Sequence, residues 1–473
     1  MRNSDEIWTL VDRHRDTFEA LSDRIFDMPE IAYNEHRSVA EHAASLREHG
    51  FRVTENLAGI NTAVMGEAGQ GGPVIAILGE YDALPGLSQQ AGATEHTPLP
   101  GDGMGHGCGH NLLGSAALLA ATAVKDWLAE NNLPGRVRYY GCPAEEGGAA
   151  KSFMVREGAF QDVDIAITWH PMPFAGVNDA QSLANTRLDF SFTGRASHAA
   201  AAPHLGRSAL DALELMNVGV NYLREHMPSD ARIHYAMLDG GGVAPNVVQA
   251  RAKVRYAVRA RDLAQMQNLV ARVRKVAEGA ALMTETTVDV QVISAVSNLM
   301  GNTPLEQAMH ANFERLGPPP FDAADRAFAD KIRATLTPDD IAAHYRRSGL
   351  KVRQDQPLAD SIVPLGLAGE PMLGSTDVGD VSWVVPLVQA DGATVAIGTP
   401  FHSWQLTAQG KSPLAKKGMV HVAKVMAATA LDALRDPTLV AAAKADLQGR
   451  TDGNPYVSPL PADVTPPVTR KPA

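Results

Sequence analysis

At 473 residues, 45% of them hydrophobic and 20% charged, the chain exceeds the size at which a single core stops growing, so at least two globular domains are expected. Acidic residues outnumber basic ones, 53 against 42, and the net charge of −11 argues against a nucleic-acid partner. No run of about 18 apolar residues occurs and the N-terminal "MRNSDEIWTLVDRHRDTFEAL" lacks an apolar signal core, so neither a membrane span nor export is expected, and the chain reads as cytoplasmic.

In chain order, Ile7, Leu10, Val11, Phe18, Leu21 and Ile25 recur at helical spacing and predict a helix ending before Pro29. A second helix follows in "RSVAEHAASLREHGFRV", stopped by Gly50. Four short apolar runs then read as buried strands: "VIAIL" at 74–78, "RVRYYG" at 136–141, "DIAITW" at 164–169 and "TVAIG" at 394–398. Each runs into residues capable of chemistry, respectively "GEYDALPG", "CPAEEGG", "HP" and "TPFHSW". Ligands of open α/β sheets bind beyond the carboxyl ends of the strands, so these groups are expected to converge.

Between 186 and 297 the pattern changes to alternating strands, "TRLDFSFTGRAS", "ARIHYAML", "QARAKVRYAVRA" and "TETTVDVQVISA", separated by helical stretches at 207–225 and 262–281. This order predicts a small α+β unit inserted into the larger α/β domain. The expected division is a catalytic domain in two parts, 1–185 and 298–450, a lid at 186–297, and a proline-rich tail at 451–473 that forms an extended strap or a disordered end. The stretch 315–360 reads as polar and helical, without an obvious site.

The chain has two cysteines, and each is read by its setting. Cys142 ends a predicted strand and reads as a small buried residue. Cys108 and His110 stand two apart at the start of a long apolar helix, where the helix dipole favours a thiolate and where thiolate plus imidazole suit a transition metal. Alone, the pair is also compatible with a packed cysteine beside a capping histidine. Glu145 and Glu146, presented at a strand end, supply one carboxylate for metal and one as general base. His170 and His402 each follow a predicted strand. Cys108, His110, Glu146, His170 and His402 amount to five ligands, about what two cations sharing a bridging thiolate require.

Taken together, "YDALPG", "HGCGHNLL", "PAEEGG" and "FHSW" in this order resemble the M20 metallopeptidase family, in its amidohydrolase branch. Asn111 and Leu113 replace the Asp and His of the hippurate-hydrolase pattern, and with "GHGCGHNLLG" and "STDVGDVSW" they bring the chain nearer the branch containing aminobenzoyl-glutamate hydrolase. The resemblance implies a mixed-sheet α/β di-metal hydrolase domain with an inserted ferredoxin-like α+β lid and dimerisation domain. It implies two divalent ions per subunit, zinc or manganese, bridged by Cys108 and held by His110, Glu146, His170 and His402, with Glu145 as general base. Asp82 is carried over as a residue behind the ligands, and Glu80 stands where other branches place a ligand His. His198, in "GRASHAAAAPHLGRSALDA", is implied to reach the partner subunit's site and stabilise the oxyanion. Asn246 and Arg259, in "GGGVAPNVVQA" and "YAVRARD", are implied to hold the substrate carboxylate. Asp377 and Asp380 either shape the pocket or pin a loop.

The function so implied is hydrolysis of a small-molecule amide, an N-acyl or N-aroyl amino acid such as p-aminobenzoyl-glutamate, by a homodimer with room for a related companion subunit. A dipeptidase or N-acyl-amino-acid deacylase is the alternative within enzymes. A catalytically idle metal-binding partner subunit is the alternative outside them, and the intact Glu145 speaks against it.

Overall fold

In the computed structural model, residues 4–371 and 373–467 are described. The chain opens with α1 (Ser4–Phe26) and α2 (His36–Glu48), then β1 (Arg52–Glu55), β2 (Val64–Gln70) and β3 (Val74–Glu80). A long glycine-rich loop leads to α3 (His110–Glu130), followed by β4 (Gly135–Cys142), α4 (Ala150–Arg156), β5 (Ile165–Met172) and β6 (Gly176–Val177). Next come β7 (Ala184–Thr193), α5 (Ala209–Leu223), β8 (Arg232–Asp239), β9 (Arg251–Ala260), α6 (Leu263–Thr284) and β10 (Thr287–Val296). The remainder comprises α7 (Thr303–Leu316), α8 (Ala323–Arg333), α9 (Pro338–Arg347), α10 (Val378–Val384), β11 (Leu387–Ala393), α11 (Trp404–Gln409), α12 (Pro413–Arg435) and α13 (Pro437–Thr451).

Two sheets result. The larger has strand order β1-β2-β4-β3-β5-β11-β6, and its central strands β4, β3, β5 and β11 are parallel. Their carboxyl ends therefore share one edge, which explains how four segments far apart in sequence can supply one site. Every residue of β3 is buried, as expected of a parallel strand covered on both faces. The helix α3 is long and apolar enough by composition to cross a membrane, yet most of it is buried here, packed against β3, α1 and α12. It approaches β3 closely because both partners lack side chains at the contact. A Cβ on Gly114 would lie 2.6 Å from the Glu80 carbonyl oxygen, and one on Gly79 would lie 3.0 Å from the Gly114 Cα.

One strand is displaced from expectation. The fourth central strand is β11, not "TVAIG" at 394–398, which follows it as a buried turn. β11 pairs with β5 from Leu387↔Ala166 to Ala393↔Met172. Beyond it, Ile397 N donates to the Pro357 carbonyl, and Gly398 at φ 103° turns the chain away from the sheet. A short apolar run reports burial, and burial is shared by turns and strands alike.

The second sheet, β10-β7-β9-β8, is antiparallel. The period-two alternation of β7 and β9 turns Leu188, Phe190, Val254 and Tyr256 towards a core shared with Leu213 and Met216 of α5 and Leu269 of α6. The opposite face carries Arg187, Asp189, Lys253, Arg255 and Arg259. Within 315–360, α9 buttresses the segment leading to His402, since His344 Nε2 donates to the Thr399 carbonyl at 3.0 Å. The described part of the tail lies along the molecule as a strap. Arg156 holds the carbonyls of Pro461 and Val464, and Leu460 is buried; residues 468–473 fall outside the described residues.

Candidate metal centre and active site

The cluster sits at the carboxyl edge of the larger sheet. Gly109, at φ 76°, ends the loop before α3 in a conformation that glycine adopts freely, so Cys108 and His110 flank the helix start. β5 extends through His170, which is therefore within the strand, not after it. His402 adopts φ 54°, unusual for a side chain of its size, and its N–H donates to the Gly107 carbonyl at 3.0 Å. That contact ties the late histidine to the cysteine loop.

Ligand atoms of Cys108, His110 and His170 all lie within 4.8 Å of one another, as do those of Cys108, Glu146 and His402. The two triads share the sulfur. Cys108 Sγ is 3.4 Å from His170 Nε2, and Glu146 Oε2 is 3.2 Å from His402 Nε2. Asp82 lies behind both triads. Its Oδ1 accepts from His110 Nδ1 at 2.9 Å and its Oδ2 from the Glu146 N–H at 2.9 Å, so one carboxylate orients a residue of each set. The His110 bond fixes the ring with Nε2 facing the cluster.

This donor set fits divalent cations. His110 Nε2 and Glu146 Oε1 are buried without a hydrogen-bond partner. Burial, reinforced by Glu146, raises the Cys108 thiol well above its ordinary value, so the thiolate needs a cation beside it to form. Burial also opposes ionisation of Glu146, yet the hydrogen bond from His402 and the charge of His110 bring it down to about 2.

Glu145 stands beside the triads in a further group with Glu80 and His110. Burial, then the carboxylates of Glu80, Glu146 and Asp377, push it well above the ordinary carboxylate range. Such a carboxyl holds a proton readily, which suits a group that must accept one and pass it on.

Sequence reasoning missed Lys151. It is fully buried in the first turn of α4, and its Nζ lies 2.6 Å from both Glu80 Oε1 and Asp377 Oδ1. Burial works against its charge, but Asp377 and Glu80 raise it well above the ordinary lysine value. For Glu80, burial is outweighed by Lys151 and His110, leaving its carboxyl below the usual range. Asp377 thus pins a loop, and its partner is a charge inside the site. Asp380 does the same for other elements, accepting from Ser152, Ser297 and Tyr456. A lone lysine in "GGAAKSF" carries no pattern by which it would be singled out.

The lid residues are placed differently. His198 and Asn246 are both exposed. His198 Nδ1 accepts from the N–H groups of Ala200 and Ala201, and its strand bridge is to Val247. Among the described residues neither contacts the cluster of its own subunit. Arg259 Nη1 donates to Ser375 Oγ at 2.9 Å, on the segment that ends in Asp377. A second lid arginine, Arg187, which the sequence did not single out, donates through Nη1 to the Gly147 carbonyl at 3.2 Å, directly after the Glu145–Glu146 pair. Asn111 is structural, its amide donating to Ser22 Oγ and the Gly410 carbonyl, both at 3.0 Å.

Known proteins share the sequence pattern and the fold of this chain. The model of peptidase family M20/M25/M40 matches residues 76–337. The chain is 47% identical over 467 residues to a p-aminobenzoyl-glutamate hydrolase subunit of Escherichia coli (strain K12), spanning 96% of this chain and 97% of that one. It is 28% identical to the Xaa-Arg dipeptidase of Mus musculus, over 91% of this chain and 88% of the relative. Among solved structures, a dinuclear metal binding peptidase of the M20 family from Bacillus subtilis superposes with a TM-score of 0.56 at 17% identity, covering 88% of this chain and 98% of the other, a likeness of fold.

Proposed function

Because the chain belongs to peptidase family M20/M25/M40, we propose that it is a metal-dependent amidohydrolase cleaving the amide bond of an N-acyl or N-aroyl amino acid, p-aminobenzoyl-glutamate being the first substrate to test. The observation that carries this reading is the pair of triads sharing Cys108 with Glu145 alongside. Cys108, His110 and His170 would hold one divalent ion and Cys108, Glu146 and His402 a second, zinc or manganese in either case. When bound, the cations supply Lewis acidity to the scissile carbonyl and lower the proton affinity of a water.

The chain's own residues do the rest. Glu145 takes the proton of the attacking water and delivers it to the leaving amine. Asp82 holds His110 and the Glu146 backbone in place. Arg259 binds the substrate carboxylate. His198 acts from the partner subunit of a homodimer, donating to the developing oxyanion. Support for the dimer is that His198 and Asn246 are exposed and out of contact with their own cluster, while the lid presents apolar side chains such as Met237 (51% exposed) on edge strand β8 and Tyr222 (69%) on α5. A companion chain is a further proposal, supported by the E. coli relative's being one of the subunits of its hydrolase.

The test is release of p-aminobenzoate by metal-loaded protein. The wild type should turn over, and Glu145→Ala should lose about 10²–10⁴-fold in kcat while keeping its metal content. Normal turnover by that variant would defeat the assignment. Absence of turnover in metal-loaded wild type, with hippurate, acyl-amino acids and dipeptides also tried, would defeat the hydrolase reading.

A further inference from the structure

Four cations on the lid have acidic partners. Arg255 and Lys253 both clasp Asp189, at 2.6 and 2.8 Å, Arg251 pairs with Asp239, and Arg207 with Glu285. Two arginines reach segments of the candidate site. Arg187 on β7 and Arg259 on β9 have no ion-pair partner among the described residues, although both are half-buried and the chain has an excess of acids. Half-burying a guanidinium without a paired carboxylate costs free energy, which an anionic group of a ligand can offset.

The register places the two together. Asn185 faces Arg259 and Arg187 faces Ala257, so Arg187 and Arg259 are diagonal neighbours on the polar face of the lid sheet, with Cβ atoms about 7 Å apart. Burial and then Arg255 lower the proton affinity of Arg187, with Glu145 and Glu146 opposing them in part, and burial and then Arg187 lower that of Arg259. Each is also aimed at the site by its one neutral contact. Arg187 touches Gly147, beside the Glu145–Glu146 pair, and Arg259 touches Ser375, two residues from Asp377. A third lid arginine on this face, Arg232, is opposite Arg259 but folds back onto the carbonyls of Ser229 and Ala231.

We infer that Arg187 and Arg259 form a two-guanidinium clamp for an amide substrate bearing two carboxylates, Arg259 taking the α-carboxylate and Arg187 the side-chain carboxylate, so that N-acyl derivatives of acidic amino acids are selected over neutral ones. This rests on the amidohydrolase reading above and adds to it the residue that sets specificity. Each guanidinium offers a planar fork matched to a carboxylate, and a charged hydrogen bond of this kind is worth about 1.5–3 kcal/mol.

The experiment compares p-aminobenzoyl-glutamate with its isostere p-aminobenzoyl-glutamine, which differs only in the second carboxylate. Wild type should prefer the glutamate compound by about 10- to 100-fold in kcat/KM, the equivalent of that interaction. Arg187→Gln keeps an N–H donor for the Gly147 carbonyl and should bring the ratio to within about 3-fold by slowing only the glutamate compound, and Arg187→Lys should restore part of the preference. Equal slowing of both substrates, or a wild type indifferent to the second carboxylate, would overturn the clamp. Binding of both compounds to metal-loaded Glu145→Ala, followed by calorimetry, separates this inference from the hydrolase reading. Preference in binding without turnover by wild type leaves the clamp standing while the hydrolase reading falls; turnover without preference does the reverse.

Discussion

Replacing Lys151 by Met keeps the volume and shape of the side chain's apolar stem and removes only its charge. In the wild type that charge lies 2.6 Å from Glu80 and 2.6 Å from Asp377, and none of the three side chains is more than 3% exposed. The variant leaves two carboxylates facing each other with no counter-ion. Removing one partner of a buried pair costs about 3–5 kcal/mol, and Coulomb's law for unit charges ~4 Å apart at an effective dielectric of ~20 gives a similar ~4 kcal/mol. Set against a typical folding stability of about 5–15 kcal/mol, this is a large fraction. With a urea dependence of about 3 kcal/mol/M or more, the unfolding midpoint should fall by up to about 1.5 M at pH 8. Freed of Lys151, both carboxyls are raised above their unfolded values, so the deficit is complete above the raised values and shrinks as pH falls towards ~4. Adding Glu80→Gln and Asp377→Asn to Lys151→Met should recover much of the loss, because amides carry no charge to bury. The assay is urea unfolding followed by circular dichroism, on metal-free protein, at pH 8 and pH 5. A midpoint within about 0.3 M of wild type at pH 8 would refute the view that Lys151 compensates two buried charges.

Asp82→Asn should weaken metal binding by about 10- to 100-fold, read by competition with a coloured chelator, since it disturbs the support of His110 and Glu146 together; unchanged affinity would deny Asp82 that role. His42, His344 and His421 are held neutral chiefly by burial, with values lowered from 6.5 to about 3, 4 and 4. Their contribution is complete above 6.5 and is lost as pH falls from there towards 4, with a slope of up to about 4 kcal/mol per pH unit for three protons. Uptake of fewer than two protons on unfolding at pH 5 would contradict it. Mixing inactive His198→Ala and Glu145→Ala protomers should restore up to about a quarter of wild-type activity if half the dimers are mixed and one of their two sites is intact; no recovery despite proven protomer exchange would rule out action across a dimer.

The alternation of β7 and β9 and the apolar runs of β3, β4 and β5 announced two sheets of different character, because side-chain periodicity is a local consequence of backbone geometry. β11 was misplaced by several residues because hydrophobicity reports burial and says nothing of hydrogen-bond partners.

The amino-acid order alone determined the mixed α/β class and the positions of the chemical groups, since strand-forming runs and glycine-marked loops are decided within a few residues. Tertiary structure decided which groups meet. Lys151 becomes an ion-pair partner of Glu80 and Asp377, 71 and 226 residues away by subtraction of their numbers, only because α4 packs between β3 and the segment before α10. Arg187 and Arg259 become neighbours only through the register of β7 with β9. Charge is read one residue at a time, whereas its pairing depends on contacts that the packed sheets create.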